Sequence, residues 1–222
     1  MNRAPARGTA WACTILAAML WAVQAPAHPG HAATPDGHAS GLAALKQTLL
    51  VVDDRKPLHL PALVTSSGAR YAPERLKGHW TVVYFGYTSC PDVCPATLHT
   101  LSAVARRPAA GVSAGATALL FVSVDPKHDT PARMNAYLKA YDGRIEGLTG
   151  TQEAVTRFSD AIGAGFRGIG QQFDHSTSLF VLDPQGRVAG ILLRPADPDR
   201  IAADLATLRQ APGGAGHGAT TH

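Results

Sequence analysis

Apolar residues in this chain form short runs separated by turn residues, and the spacing within the runs is of two kinds. Thr81–Phe85 is a β-branched and aromatic run without polar alternation, as a buried central strand requires, and Ala118–Val124 repeats that pattern. Other segments place apolar residues on one face at helical spacing. The pattern predicts an α/β protein with a mixed sheet and helices on both of its faces.

Four segments have the periodicity and the start signals of helices. Thr130 and Pro131 place a hydroxyl at an N-cap and a proline at the first helical position, and Thr151 opens another helix with Phe158 facing inward. The predicted helices cover residues of about 96–106, 131–141, 151–162 and 199–208.

Turn sequences between apolar segments predict two β-hairpins. A Ser-Ser-Gly turn at 66–68 separates 58–64 from the segment at Tyr71, and an Asp-Pro-Gln-Gly turn separates 179–182 from 188–193. In chain order, a hairpin and a central strand precede the first helix, and a strand, two helices, a second hairpin and a last helix follow it. This order predicts a thioredoxin-like α/β fold with an added N-terminal β-hairpin, in a single domain.

The first 27 residues have the features of an export signal. Arg3 and Arg7 precede an apolar run from Thr9 to Val23, and a small-x-small sequence ends at Ala27. The run has about 15 residues, fewer than the ~20 that a membrane-spanning helix needs. We therefore expect export with cleavage of residues 1–27, and a retained membrane anchor is the less favoured alternative.

Composition separates a central domain from two flanking segments. Residues 28–44 are rich in His, Pro and Gly, residues 211–222 have a similar makeup, and both are predicted to be flexible around a domain over 45–210. The net charge is +4, of which Arg3 and Arg7 contribute two units, and the other basic residues are scattered. This distribution gives no nucleic-acid footprint.

The candidate chemistry involves two of the three cysteines. Cys13 lies inside the export signal, whereas Cys90 and Cys94 follow the predicted central strand. A cysteine pair in an exported protein is usually a disulfide. However, residues four apart at the start of a helix lie on one face, and the helix N-terminus is expected to lower their pKa values. Thiolates favour Cu(I), and an added imidazole also suits Cu(II), so a disulfide and a metal site both stay open.

Three short blocks of sequence follow one another along the chain. Residues 85–95 are Phe-Gly-Tyr-Thr-Ser-Cys-Pro-Asp-Val-Cys-Pro, residues 122–126 are Val-Ser-Val-Asp-Pro with Asp-Thr-Pro at 129–131, and residues 174–176 are Asp-His-Ser. In all three blocks the chain resembles the Sco/SenC family. The resemblance covers about residues 58–208.

This resemblance implies a copper protein of the periplasm or inner membrane, in which Cys90, Cys94 and His175 bind one copper ion. The implied partners are the copper-containing subunit of cytochrome oxidase, whose CuA centre would receive the metal, and a periplasmic copper donor. The export signal favours a soluble periplasmic form. Neither a nucleic acid nor a small-molecule substrate is expected.

Acidic residues near these blocks have less specific roles. Asp174 is a candidate to orient the loop or the imidazole, and Asp92 is either a capping residue or a plain turn residue. Asp125 and Pro126 are predicted to form the turn that ends a strand. Residues 163–173 are short and rich in glycine, whereas the family often has a longer loop before its histidine.

Two functions compete on this reasoning. The favoured one is copper delivery without turnover, because three residues between the cysteines leave more room for a metal than Cys-x-x-Cys does. The alternative is a thiol–disulfide oxidoreductase that reduces the cysteines of the oxidase copper site. A peroxiredoxin-like peroxidase has little support, since no clear threonine–cysteine arrangement with an arginine is present. Histidines of the flanking segments, such as His28 and His217, are better explained as unstructured sequence than as copper collectors.

Overall fold

The computed structural model describes residues 48–52, 57–164, 167–169, 172–174, 177–193, 195 and 197–210. The predicted export signal, the segment 28–44 and the tail 211–222 lie outside these residues, as does His175. Within the described residues, no helix combines the length and the apolar character needed to cross a membrane.

The described residues form ten strands and four α-helices. The strands are β1 (Thr48–Val51), β2 (Leu63–Thr65), β3 (Arg70–Tyr71), β4 (Trp80–Gly86), β5 (Thr117–Ser123), β6 (Ile145–Gly150), β7 (Arg167–Ile169), β8 (Gln172–Asp174), β9 (Leu179–Leu182) and β10 (Val188–Leu193). The helices are α1 (Val93–Ala105), α2 (Pro131–Leu138), α3 (Gln152–Ala161) and α4 (Pro198–Gln210).

Eight strands of the described part of the chain form one mixed sheet, in the order β1-β10-β9-β4-β5-β6-β2-β3, and β7 pairs with β8. Strands β4, β5 and β6 are parallel, whereas β9 runs antiparallel to β4. All residues of β4 are buried, which confirms the predicted central strand. The β2–β3 hairpin at one end of the sheet confirms the predicted N-terminal hairpin.

Helices cover both faces of the sheet, as predicted. Successive residues of β4 point to opposite sides, so they pack against different helices. On one side the Tyr84 ring packs on Phe121, with ring centroids 5.9 Å apart, and Phe121 packs on Tyr137 of α2 at 6.0 Å. On the other side Phe85 packs on Phe158 of α3 at 5.6 Å. The hydrophobic core therefore lies on both sides of β4.

Helix α1 begins three residues before its predicted start, at Val93. Pro95 is tolerated there because it lies in the first turn, where a backbone N–H has no partner within the helix. Cys94 therefore belongs to the helix and not to the preceding loop. The predicted N-cap Thr130 is confirmed, since its hydroxyl accepts a backbone hydrogen bond of 3.3 Å. Thr151, predicted to open a helix, also caps it, with a bond of 3.1 Å.

Three strands differ from the sequence-based expectation. Strand β6 was not predicted, because its glycines interrupt the apolar pattern. Gly147 allows close packing there, since a Cβ atom would lie 2.8 Å from Leu138 Cδ1 and 2.9 Å from Met134 Cε of α2, and these side-chain ends would have to shift. Strands β7 and β8 lie in the glycine-rich stretch that was expected to be a loop.

Candidate metal centre

Cys90 and Cys94 lie where β4 ends and α1 begins, at the carboxyl edge of the parallel strands. Ligands of open α/β sheets commonly bind at this edge. Asp125 and Asp129 follow the end of β5, the neighbouring parallel strand, and Thr88 of the cysteine loop is hydrogen-bonded to Asp129. The fold thus brings the first and second sequence blocks together.

The two cysteines are not joined by a disulfide; Cys94 is the second residue of α1, and Cys90 lies in the loop just before this helix. Cys90 is 6% exposed and Cys94 is fully buried. The backbone N–H of Cys94 donates a hydrogen bond to Cys90 Sγ, with an N···S distance of 3.4 Å. A donor from the first helical turn favours negative charge on the sulfur that accepts it.

The Cys94 sulfur lies in a niche against β4. A Cβ atom added to Gly86 would lie 2.9 Å from Cys94 Sγ and 2.7 Å from Phe121 Cε2. Real side chains essentially never approach so closely, so only glycine leaves enough room for this sulfur. The backbone conformation of Gly86 is an ordinary one, since its φ is not positive. Space therefore explains this glycine better than backbone freedom does.

Burial raises the pKa of the Cys94 thiol to about 12, although hydrogen bonding by the Tyr84 side chain and the Tyr87 backbone lowers it. The expectation that the helix N-terminus lowers both thiol pKa values is therefore wrong for Cys94. Loss of hydration outweighs the nearby donors at this position. Without a metal, Cys94 is a neutral thiol at pH 7, so binding as a thiolate requires release of its proton.

The Tyr84 hydroxyl is a buried polar group next to this sulfur. Burial raises the pKa of Tyr84, and the neighbouring Cys94 raises it further. The hydroxyl lies close enough to Cys94 to lower the pKa of that thiol. It nevertheless makes no hydrogen bond of ordinary geometry within the described structure. A buried donor without a partner fits a site where a neighbouring sulfur becomes an anion when it binds a metal.

Asp129 anchors the loop that carries Cys90. Its carboxylate is fully buried and accepts hydrogen bonds from the Thr88 backbone N–H at 2.9 Å, from the Thr88 hydroxyl, and from the Ser123 hydroxyl at 2.6 Å. Arg133 Nε donates to Thr88 Oγ1 at 2.7 Å. Sequence reasoning gave Asp129 no role, although its place after β5 at the same sheet edge was an available signal.

The other acidic candidates have structural positions. Asp125 forms the predicted turn, because its carbonyl oxygen accepts from His128 and Asp129, and its carboxylate pairs with His128 Nδ1 at 2.8 Å. Asp92 is exposed, occupies the N-cap position of α1 and makes no side-chain capping bond. Asp174 is the last residue of β8, and its backbone lies opposite that of Arg167 in the antiparallel β7–β8 pair.

The predicted third ligand, His175, lies outside the described residues. Among the residues that are described, no three His, Cys, Asp or Glu side chains are grouped closely enough to hold a metal ion. Strand β9 begins four residues after this histidine, and its first residue, Leu179, pairs with Tyr84 of β4. The chain therefore returns from the third block beside the strand that leads to the cysteines.

Comparison with known proteins covers the region that contains all three blocks. The SCO1/SenC family model matches residues 62–210. This chain belongs to the SCO1/SenC family. The mitochondrial SCO1 homologue of Homo sapiens is 30% identical over 152 residues, which are 66% of this chain and 50% of that protein. The chain thus spans about half the length of this relative.

Solved structures of the family confirm the predicted thioredoxin-like fold. The copper-bound structure of Bradyrhizobium japonicum ScoI is 32% identical, with a TM-score of 0.59, and the match covers 69% of this chain and 98% of that one. BsSco, which has a disulfide switch and belongs to the Sco family of cytochrome c oxidase assembly proteins, has a TM-score of 0.59 at 20% identity. Its match covers 72% of this chain and 96% of BsSco, and at this identity it supports the fold alone.

Proposed function

We propose that this chain is a copper chaperone that binds one copper ion through Cys90, Cys94 and His175 and delivers it to the CuA centre during assembly of cytochrome c oxidase. The observation that carries the proposal is the pair of reduced sulfurs at the start of α1, in a chain of the SCO1/SenC family. The copper-bound state of the Bradyrhizobium relative supports the choice of metal.

The donor set fits copper by its chemistry. Two thiolates are soft ligands that favour Cu(I), and an imidazole lets the same site hold Cu(II). A structural zinc site would normally use four protein ligands. Copper displaces a proton from the Cys94 thiol as it binds, while the Cys94 backbone N–H stabilises charge on the Cys90 sulfur.

The position of His175 in the sequence supports its role as the third ligand. It precedes Leu179 by four residues, and an extended chain of that length spans at most ~14 Å. Leu179 pairs with Tyr84, so the histidine is tethered to the sheet edge from which the cysteine loop leaves. Asp174 comes directly before it and is proposed to orient the loop or the imidazole.

Delivery requires that the ion can leave. Cys90 belongs to a loop and is slightly exposed, whereas Cys94 is enclosed between α1 and β4. A thiolate of the acceptor would replace Cys90 first and a second acceptor ligand would then replace Cys94. The ion would thus pass by ligand exchange, with no change in the oxidation state of copper or sulfur. The proposed acceptor is the copper-containing oxidase subunit, and the proposed setting is the periplasm after cleavage of residues 1–27, with a separate periplasmic donor loading the site.

A thiol–disulfide oxidoreductase is the second candidate, because the N–H of Cys94 contacts the Cys90 sulfur and both thiols are reduced. In that reaction Cys90 and Cys94 would form a disulfide while a disulfide of the target protein gains two electrons and two protons. This function needs the cysteines but not His175.

Replacement of the proposed histidine ligand separates the two functions. We expect His175→Ala to lose Cu(II) retention and to bind Cu(I) more weakly in a chelator competition, whereas His59→Ala, at an exposed position, binds both ions like the wild type. Retention of both ions by His175→Ala would contradict the three-ligand site. Absence of copper binding in the wild type, together with disulfide exchange unchanged in His175→Ala, would favour the oxidoreductase.

A further inference from the structure

The wall of β4 beside Cys94 contains two features that copper ligation by the cysteines does not itself explain. The first is Gly86, whose missing side chain makes room for the Cys94 sulfur at a distance of 2.9 Å from the position of a Cβ atom. The second is the Tyr84 hydroxyl, which is completely buried and lies close to the Cys94 and Thr97 side chains but makes no hydrogen bond of ordinary geometry. Both residues belong to one strand and are two positions apart, so they face the same side of the sheet.

These two features share one surface. Phe121 packs against the Tyr84 ring at 5.9 Å and also lies 2.7 Å from the position that a Gly86 Cβ would occupy. Tyr84, Gly86 and Phe121 therefore form the floor of the niche that holds the Cys94 sulfur. We call this surface the Cys94 niche.

A buried tyrosine hydroxyl normally has a hydrogen-bond partner, because an unpaired buried donor is costly. Within the described residues, the same condition is found only for the hydroxyls of Thr81 and Thr149. Tyr84 differs from these two because its hydroxyl interacts with a cysteine side chain. A neutral thiol is a weak acceptor, whereas a sulfur bound to copper is a thiolate and a strong one.

We propose that Tyr84 is a positioning residue whose hydroxyl donates a hydrogen bond to the Cys94 thiolate in the copper-bound protein. This inference rests on the proposed function, in which Cys94 is a copper ligand. Without the metal the hydroxyl makes no hydrogen bond of ordinary geometry, and with the metal it gains a charged acceptor within reach. Gly86 keeps the sulfur within its reach, so Cys94 is the fixed sulfur of the site and Cys90 is the one that exchanges.

The test compares Tyr84→Phe with Thr81→Val in the full chain. Both variants remove an unpaired buried hydroxyl from β4, but Thr81 lies five residues before Gly86 and faces the other side of the sheet, roughly 16 Å away along the strand. We expect Tyr84→Phe to bind Cu(I) about tenfold more weakly in a chelator competition, the order expected for one hydrogen bond to a charged acceptor. We expect Thr81→Val to bind copper like the wild type.

Two further readouts separate positioning from a structural role. Loss of a hydrogen bond raises the energy of the sulfur electrons, so the sulfur-to-Cu(II) charge-transfer band of Tyr84→Phe should move to longer wavelength, whereas that of Thr81→Val should not. The thermal midpoint of each metal-free variant should equal or exceed that of the wild type, because the hydroxyl removed makes no hydrogen bond of ordinary geometry in this state.

Tyr84→Phe with the affinity and the absorption band of the wild type would overturn the inference and leave copper binding by the cysteines standing. A loss of affinity accompanied by a lower melting temperature of the metal-free variant would also overturn it, because the hydroxyl would then support the fold. If the wild-type chain binds no copper, the proposed function fails and the inference fails with it.

Discussion

The settings of Cys90 and Cys94 differ more than their spacing of four residues implies. Cys94 is held by packing, between the first turn of α1 and the Cys94 niche of β4. Cys90 is held by hydrogen bonds, because its loop is fixed through Thr88 to the buried carboxylate of Asp129. One sulfur is thus enclosed by side chains, and the other belongs to a segment that polar contacts keep in place. This asymmetry suits a site that must retain an ion and also release it.

The largest effect is expected for the anchor of the Cys90 loop. Asp129→Asn places an amide where three donors point at a buried carboxylate, and we expect a loss of about 3 kcal/mol in the free energy of unfolding, measured with urea. Copper should also dissociate faster, because the Cys90 loop is released. The matched control is Asp199→Asn, whose exposed ion pair with Arg107 is screened by solvent, so its loss should change the free energy of unfolding far less.

Equal effects of these two variants on stability would show that the buried carboxylate is not the anchor. If Asp129→Asn is destabilised but its copper dissociation rate is unchanged, the anchoring of the Cys90 loop does not control how long copper is retained.

The second effect concerns the other sulfur. Gly86→Ala introduces a Cβ atom that collides with Cys94 Sγ and Phe121, and we expect a cost of about 1–3 kcal/mol in stability and a Cu(I) affinity at least tenfold lower. Gly147→Ala is the control, because its Cβ meets the ends of Leu138 and Met134 at similar distances but no cysteine sulfur. It should lose stability and keep its copper affinity. Loss of affinity in both variants would mean that general crowding, not the niche, decides copper binding.

The third effect is a pH dependence. Because burial raises the pKa of Cys94 to about 12, the sulfur holds a proton at neutral pH and copper must displace it. Raising the pH lowers the concentration of the proton that copper binding releases, so Cu(I) affinity should increase about tenfold per pH unit between roughly pH 6 and 8 for this proton alone. In Cys94→Ser, the slope of the logarithm of Cu(I) affinity against pH should be smaller by one, because one proton fewer is released. An affinity that does not change with pH in the wild type would contradict a thiol at Cys94.

Features that depend on neighbouring residues could be predicted from the sequence, whereas features that depend on distant segments could not. The strand Thr81–Phe85 and the helix starts at Thr130 and Thr151 were predictable, since an unbroken apolar run and a threonine before an amphipathic segment are local signals. The cysteine pair was identified for the same reason. Strand β6 was not predictable, because Gly147 lets α2 pack closely on the strand and a glycine interrupts the apolar pattern of a strand.

The environment of each sulfur depends on contacts between distant segments and was not predictable. Thr88 meets Asp129 across 41 positions of sequence, and the raised pKa of Cys94 reflects burial, which spacing at a helix start does not reveal. The helix N-terminus suggested a lowered pKa, and desolvation by the surrounding core reversed the sign.

X-ray absorption of the protein loaded with one equivalent of Cu(I) tests the central claim most directly, because it counts the ligand atoms by element. We predict two sulfur neighbours and one nitrogen neighbour for the wild type, one sulfur for Cys94→Ser, and loss of the nitrogen for His175→Ala. Copper coordinated by nitrogen and oxygen alone in the wild type, or by a sulfur count that Cys94→Ser leaves unchanged, would contradict it.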